Sequence, residues 1–179
     1  MQSHIPLIDL GRQRDAIDTE LHEAIEAVLM SCAFVKGSFV SDFESDFAGL
    51  VGVEPECVVG CGNGTDAIML ALLAAGIGPG DEVIVPVNTF VATAEPVVQV
   101  GATPVFVDVE SGSYNIDPSV LEPAITTRTR AIIPVHLYGT PCQMNEIIDV
   151  ARRFDLLVIE DCAQAHLAQY CAQTVGTLG

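Results

Sequence analysis

The chain has no tryptophan, a single lysine at position 36, and only seven Lys plus Arg residues in all. Against 24 Asp plus Glu this leaves a formal charge of −17. No basic face can be assembled from so few cations, which argues against nucleic acid or an anionic membrane as a partner. A phosphate ligand would have to be held by backbone amides and a helix terminus instead. The six cysteines, at 32, 57, 61, 142, 162 and 171, include no C-x-x-C pair. Metal and redox spacings are therefore missing, and scattered cysteines among apolar neighbours fit reduced side chains in the cytoplasm. The longest apolar run, Ala67 to Ala75, is too short for a bilayer. The first residues, Met1 to Ile5, lack the basic and apolar regions of a signal peptide. A soluble cytoplasmic chain with no metal is expected.

What is present is apolar and regularly punctuated. Half of the 179 residues are hydrophobic, enough for one good core. Residues 5–10 read as an extended arm leading into a helix from about Gln13 to Met30. Leu21, Ile25, Val28 and Leu29 share one face of that helix. Gly37 breaks the chain, and Ser41 is placed to cap a second helix carrying Phe43, Phe47 and Leu50. Residues 1–55 are thus expected to form a helical arm.

From Glu56 onward short β-rich runs alternate with helical stretches. The runs are Cys57–Gly60, Glu82–Pro86, Thr103–Val109, Ala131–Val135 and Leu156–Ile159. The helices fall at about 65–75, 90–100, 117–125 and 143–153. Such alternation means βαβ units and a parallel sheet with right-handed crossovers. Residues 56–179 are expected to form this α/β domain.

Ligands in open α/β sheets sit beyond the carboxyl ends of strands, so the strand ends carry the functional argument. Leu156 to Ile159 runs into Glu160-Asp161-Cys162-Ala163-Gln164-Ala165-His166. Asp161 could meet a ligand atom that favours a fixed negative charge, or the two acids could cap a helix. Gly60-Cys61-Gly62-Asn63-Gly64-Thr65-Asp66-Ala67 opens a helix after a strand. It suits either a phosphate held on backbone amides or a plain tight turn. A dinucleotide loop fits less well, because Thr65 breaks the G-x-G-x-x-G pattern. Phe90, in Asn88-Thr89-Phe90-Val91-Ala92-Thr93, could stack on a flat ring or fill the core. His136, in Pro134-Val135-His136-Leu137-Tyr138-Gly139, reads as structural.

These stretches resemble the signatures of the DegT/DnrJ/StrS family of sugar aminotransferases, fold-type-I enzymes dependent on pyridoxal 5'-phosphate (PLP). The likeness runs over essentially the whole chain. It implies an α/β three-layer sandwich with a mostly parallel central sheet, of the PLP-transferase large-domain type. It also implies roles for matched residues. Gly64, Thr65 and Asp66 belong to the phosphate cup, Phe90 stacks on the pyridine ring, and Asp161 pairs with the protonated ring nitrogen. Gln164 contacts the phenolic oxygen, and Asp161 and His166 stand in the catalytic segment. The implied reaction moves an amino group, typically from glutamate, to a keto-sugar carried on a nucleoside diphosphate, in a homodimer. Sugar dehydratases of the same family, a non-catalytic remnant, and a nucleotide- or S-adenosylmethionine-binding enzyme are the alternatives.

Three departures from the family pattern matter. Leu167 and Ala172 stand where the family usually has glycine. If those positions take positive φ, each side chain costs roughly 1–2 kcal/mol. The family's imine-forming lysine has no counterpart here, since Lys36 matches no catalytic position. The chain is therefore expected to lack that lysine and the C-terminal small domain, and to be inactive alone.

Overall fold

A computed structural model describes Pro6 and residues 8–179. Ile5 and Leu7 of the expected extended arm lie outside the described residues. Helix α1 spans Leu10–Ser31, longer at both ends than its periodicity suggests. Asp9 starts it by accepting a hydrogen bond from the Arg12 amide at 3.0 Å. Its apolar face is not covered: Leu21, Ile25 and Leu29 are exposed. Helix α2, Ser38–Val51, begins three residues before the expected cap at Ser41, with Gly37 in the N-cap position.

The sheet has four parallel strands in the order β2-β1-β3-β4. They are β1 (Glu82–Pro86), β2 (Thr103–Val107), β3 (Thr129–Ile132) and β4 (Leu157–Val158). The alternating pleat of β1 explains the layering. Val83 and Val85 point to one face and join Ile68, Leu72, Val97 and Ala131 in a buried cluster. Ile84 points to the other and packs with Ile132, Leu121, Met144 and Ile147. Helices α3 (Gly64–Ala74) and α4 (Glu95–Gln99) cover the first face. Helices α5 (Leu121–Ala124) and α6 (Met144–Phe154) cover the second. The result is the expected α/β sandwich of three layers. No described helix is long and apolar enough to cross a membrane.

Three expected elements differ for local reasons. The run Cys57–Gly60 is no strand. A 3-10 turn occupies Pro55–Cys57, and the valines after it pair with no sheet edge. The helices expected at 90–100 and 117–125 are each split into a 3-10 turn and a short α segment. Pro96, Pro118 and Pro123 lie in them, and each proline removes a backbone donor. A short antiparallel hairpin, β5 (Gln169–Tyr170) with β6 (Gln173–Thr174), follows the sheet. No periodicity announces strands of two residues.

Candidate functional site

The chain steps from β1 to β2 on one side of the sheet, then returns across β1 to β3 and β4. The order reverses between β1 and β3, and a crevice opens there beyond the carboxyl ends of the strands. A cavity of about 320 Å³ occupies it, lined by Asn63, Gly64, Thr65, Thr89, Phe90, Thr93, Val135, Leu137, Asp161, Ala163 and Gln164 among others. Gly64, Thr65, Phe90, Asp161 and Gln164, singled out from the sequence, thus share one space. No lining residue is cationic.

The N-terminus of α3 forms one wall. Asn63 caps the helix: its Oδ1 accepts the Asp66 amide at 2.9 Å, and its Nδ2 donates to Asp66 Oδ2 at 3.0 Å. The Ala67 amide donates to the Asn63 carbonyl at 3.0 Å. Among the described residues, the amides of Gly64 and Thr65 donate to no acceptor. They belong to the first turn, whose N–H groups have no partner within the helix. A Cβ built on Gly64 would touch nothing within 4 Å. Asp66 therefore serves the cap through its side chain and does not line the cavity.

Phe90 sits at the start of the 3-10 turn Val91–Thr93 and is 71% exposed, so it is not a core residue. Thr93, three residues on, is fully buried and donates from Oγ1 to Asp161 Oδ2 at 3.0 Å. The other Asp161 oxygen accepts the Ala163 amide at 3.1 Å. The Asp161 backbone is tied to the loop after β3 by bonds to Pro134 and His136. Its carboxylate caps no helix.

Tyr138 adopts a left-handed backbone, φ 58°, and donates its N–H to Gln164 Oε1 at 2.9 Å. With the amide oxygen engaged, Gln164 is left with Nε2, a pure donor, for a ligand acceptor. Thr93, Thr89 and Tyr138 were quoted within the sequence signatures without a role. Only the fold shows which side chains or amides they hold.

The structure does not bring His166 to this cavity. Its imidazole packs edge-on against Phe47, 6.2 Å between ring centroids, and lines a separate apolar cleft with Val51, Val58 and Val175. The family resemblance puts it in one segment with Asp161, but the turn between them carries its ring away. His136 is buried, and its Nε2 donates to Glu160 Oε2 at 3.0 Å while its Nδ1 accepts the Cys142 amide at 3.0 Å. Glu160 also accepts amides from Gly176, Leu178 and Gly179. Glu160, His136 and Cys162 offer donor atoms within 4.8 Å of one another. Both imidazole nitrogens and both carboxylate oxygens are already engaged, which leaves a cation no free set of ligands. Burial, then the Glu160 and Asp161 charges, push the Cys162 thiol up to about 12, so it is a poor nucleophile.

Residues 15–179 match the profile of the DegT/DnrJ/EryC1/StrS aminotransferase family. A UDP-N-acetyl-3-dehydro-alpha-D-glucosamine 3-aminotransferase of Acidithiobacillus ferrooxidans is 51% identical over 175 residues, covering 98% of this chain and 47% of that protein. A GDP-perosamine synthase of Caulobacter vibrioides is 52% identical over 143 residues, 80% of this chain and 38% of its own length. Among solved structures, DesV of S. venezuelae, in complex with a ketimine intermediate, superposes with a TM-score of 0.93 at 41% identity. That match covers 98% of this chain and 47% of DesV. NtdA of Bacillus subtilis, solved with its cofactor PMP, gives a TM-score of 0.84 at 38% identity, over 92% of this chain and 38% of that one. The chain spans about half the length of the curated relatives that it matches over 98% of its own length.

Proposed function

The chain belongs to the DegT/DnrJ/EryC1/StrS aminotransferase family, and from that premise we propose that residues 56–179 hold pyridoxal 5'-phosphate in the crevice between β1 and β3. The complete activity is amination of a keto-sugar carried on a nucleoside diphosphate, with glutamate as a donor, in a cytoplasmic homodimer. One observation carries the cofactor reading: acceptor-free amides, an exposed aromatic ring and a fixed carboxylate face the same cavity.

The donor set suits the group. With no lining cation, the phosphate falls to the Gly64 and Thr65 amides and the Thr65 hydroxyl, where the helix terminus favours an anion. Phe90 stacks on the pyridine ring. Asp161 holds a proton at the pyridine nitrogen, and Gln164 Nε2 donates to the phenolic oxygen. When bound, PLP supplies an electron sink for the amino group being moved. His166 takes no part in this assignment, because its ring lies in the neighbouring cleft. Lys36 is exposed in the loop between α1 and α2 and does not line the cavity, so the chain alone binds the cofactor without transaminating.

Equilibrium titration of the chain with PLP, NAD and S-adenosylmethionine tests the reading. Saturable binding of PLP alone, weakened in Asp161→Asn, is expected. Binding of either nucleotide cofactor in preference to PLP would overturn it.

A further inference from the structure

The two threonines after β1 are coupled to Asp161 in a way that fixes where their protons lie. Thr93 Oγ1 lies 2.9 Å from Thr89 Oγ1 and 3.0 Å from Asp161 Oδ2. Thr93 is fully buried, so its hydroxyl has no water to turn to and must be satisfied by these neighbours. A hydroxyl carries one proton, and an ionised carboxylate can only accept. The Thr93 proton therefore goes to Asp161, and the Thr89 proton goes to Thr93. The chain of donors has one direction, ending on the carboxylate.

Asp161 depends on this arrangement because nothing stronger holds it. Among the described residues no Arg, Lys or His forms an ion pair with it. The neighbouring charged groups are occupied elsewhere. Glu160 is turned to His136 and the amides of Gly176, Leu178 and Gly179, and Asp66 is tied to Asn63. The carboxylate plane is set by two neutral donors, the Ala163 amide and the Thr93 hydroxyl. The Ala163 amide lies two residues along the same loop, whereas Thr93 reaches across from the turn that also presents Phe90. One turn thus carries the ring that faces the cavity and the hydroxyl that bonds the Asp161 carboxylate.

We propose that Thr93, with Thr89 behind it, is a positioning residue that aims the Asp161 carboxylate at the pyridine nitrogen. The inference rests on the PLP reading above. Although Thr93 lines the cavity, its one hydroxyl proton goes to Asp161, which gives it no hydrogen bond to donate to the cofactor and no part in bond making.

The test compares binding of PLP with binding of its deaza analogue, in which carbon replaces the pyridine nitrogen. Thr93→Val, Thr93→Ser and Asp161→Asn are measured beside the unaltered chain. The unaltered chain should prefer PLP. Thr93→Val should bind PLP about five- to tenfold more weakly and leave the analogue's affinity unchanged. Thr93→Ser, which keeps the hydroxyl, should restore the preference. The unliganded chain supplies a second readout. Scalar couplings should show one Asp161 side-chain rotamer in the unaltered chain and in Thr93→Ser, and averaging in Thr93→Val. A preference lost in Asp161→Asn but kept in Thr93→Val would overturn the role of Thr93 and leave the cofactor reading standing. A preference insensitive to Asp161→Asn would overturn the cofactor reading itself. Equal weakening of PLP and analogue by Thr93→Val would mean that the threonine only supports the fold.

Discussion

His136 Nε2 and Glu160 Oε2 lie 3.0 Å apart behind the crevice, both side chains almost wholly shielded from solvent. Because His136 Nδ1 accepts the Cys142 amide, the ring carries its proton on Nε2 and donates it to Glu160. Glu160 also gathers the amides of Gly176, Leu178 and Gly179, so it fastens residues 176–179 to the end of β4. Burial alone would raise the Glu160 pKa. The His136 bond and the three amides outweigh it and hold the carboxyl below its ordinary value.

That balance has a pH consequence. A carboxyl with a lower pKa folded than unfolded binds fewer protons in the native state, so stability rises with pH through that window. Its contribution should be complete above the unfolded value of about 4.5 and disappear as pH falls through the folded value. Glu160→Gln turns an amide donor toward groups that themselves donate. It should cost about 2–3 kcal/mol at neutral pH and flatten the acid limb of stability, read by urea unfolding across pH. An acid limb unchanged in the variant would place the sensitivity elsewhere.

Leu167 and Ala172 have φ of 63° and 65°, and Cys171 beside Ala172 has 49°. Cys171 and Ala172 join β5 to β6 as a two-residue hairpin loop in which both residues are left-handed, a geometry that asparagine and glycine suit better. Ala172 is exposed, so its methyl contributes little packing. Ala172→Gly should therefore stabilise the chain by about 1 kcal/mol, seen as a higher urea midpoint with unchanged slope. Leu167→Gly should gain less, because Leu167 also lines the apolar cleft beside Phe47.

How far such features could be read in advance depended on the distance over which they are determined. The strand β1 was legible to the residue, since a run of buried β-branched side chains ended by Pro86 has no other use. The strained glycine replacements were legible too, because φ at a turn is a local property. Asp161 and Phe90 could be placed at strand ends by alternation alone, whereas Gly64 opens α3 after a stretch that forms no strand. What escaped depends on contacts across the fold. Thr93 and Asp161 are 68 positions apart, and nothing local to either marks the bond. His166 failed for the opposite reason: it is near Asp161 in sequence, but the loop turns its ring onto Phe47. The Val58-Val59 stretch has strand-forming residues but no edge to pair with, so propensity misled there.

Phe90 separates binding from folding. An exposed ring contributes little to the core, and Phe90→Ala should change the unfolding free energy by no more than about 0.5 kcal/mol. On the proposed cofactor placement the same substitution removes the face on which the pyridine ring would stack. PLP affinity should fall roughly tenfold, about 1.4 kcal/mol, within the range of aromatic stacking. A loss of stability without a loss of affinity would return Phe90 to a packing role.

The last expectation concerns Lys36. An amine that attacks an aldehyde must be deprotonated, and enzymes secure this by desolvating the lysine or setting another cation beside it. Lys36 is not desolvated: it is exposed, in a left-handed turn between α1 and α2 with φ of 45°, and it does not line the crevice. No other lysine exists in the chain. The amides of α3, the Phe90 ring and Asp161 should still bind PLP reversibly. Borohydride reduction of the PLP-saturated chain, followed by peptide mapping, should therefore leave no stoichiometric adduct on Lys36. A lower, variable level of labelling that rises with PLP concentration without saturating is what a solvated surface amine would give. A saturable one-to-one adduct at Lys36, formed together with turnover of a nucleotide-linked keto-sugar, would show that the loop reaches the crevice and that this chain is catalytically self-sufficient.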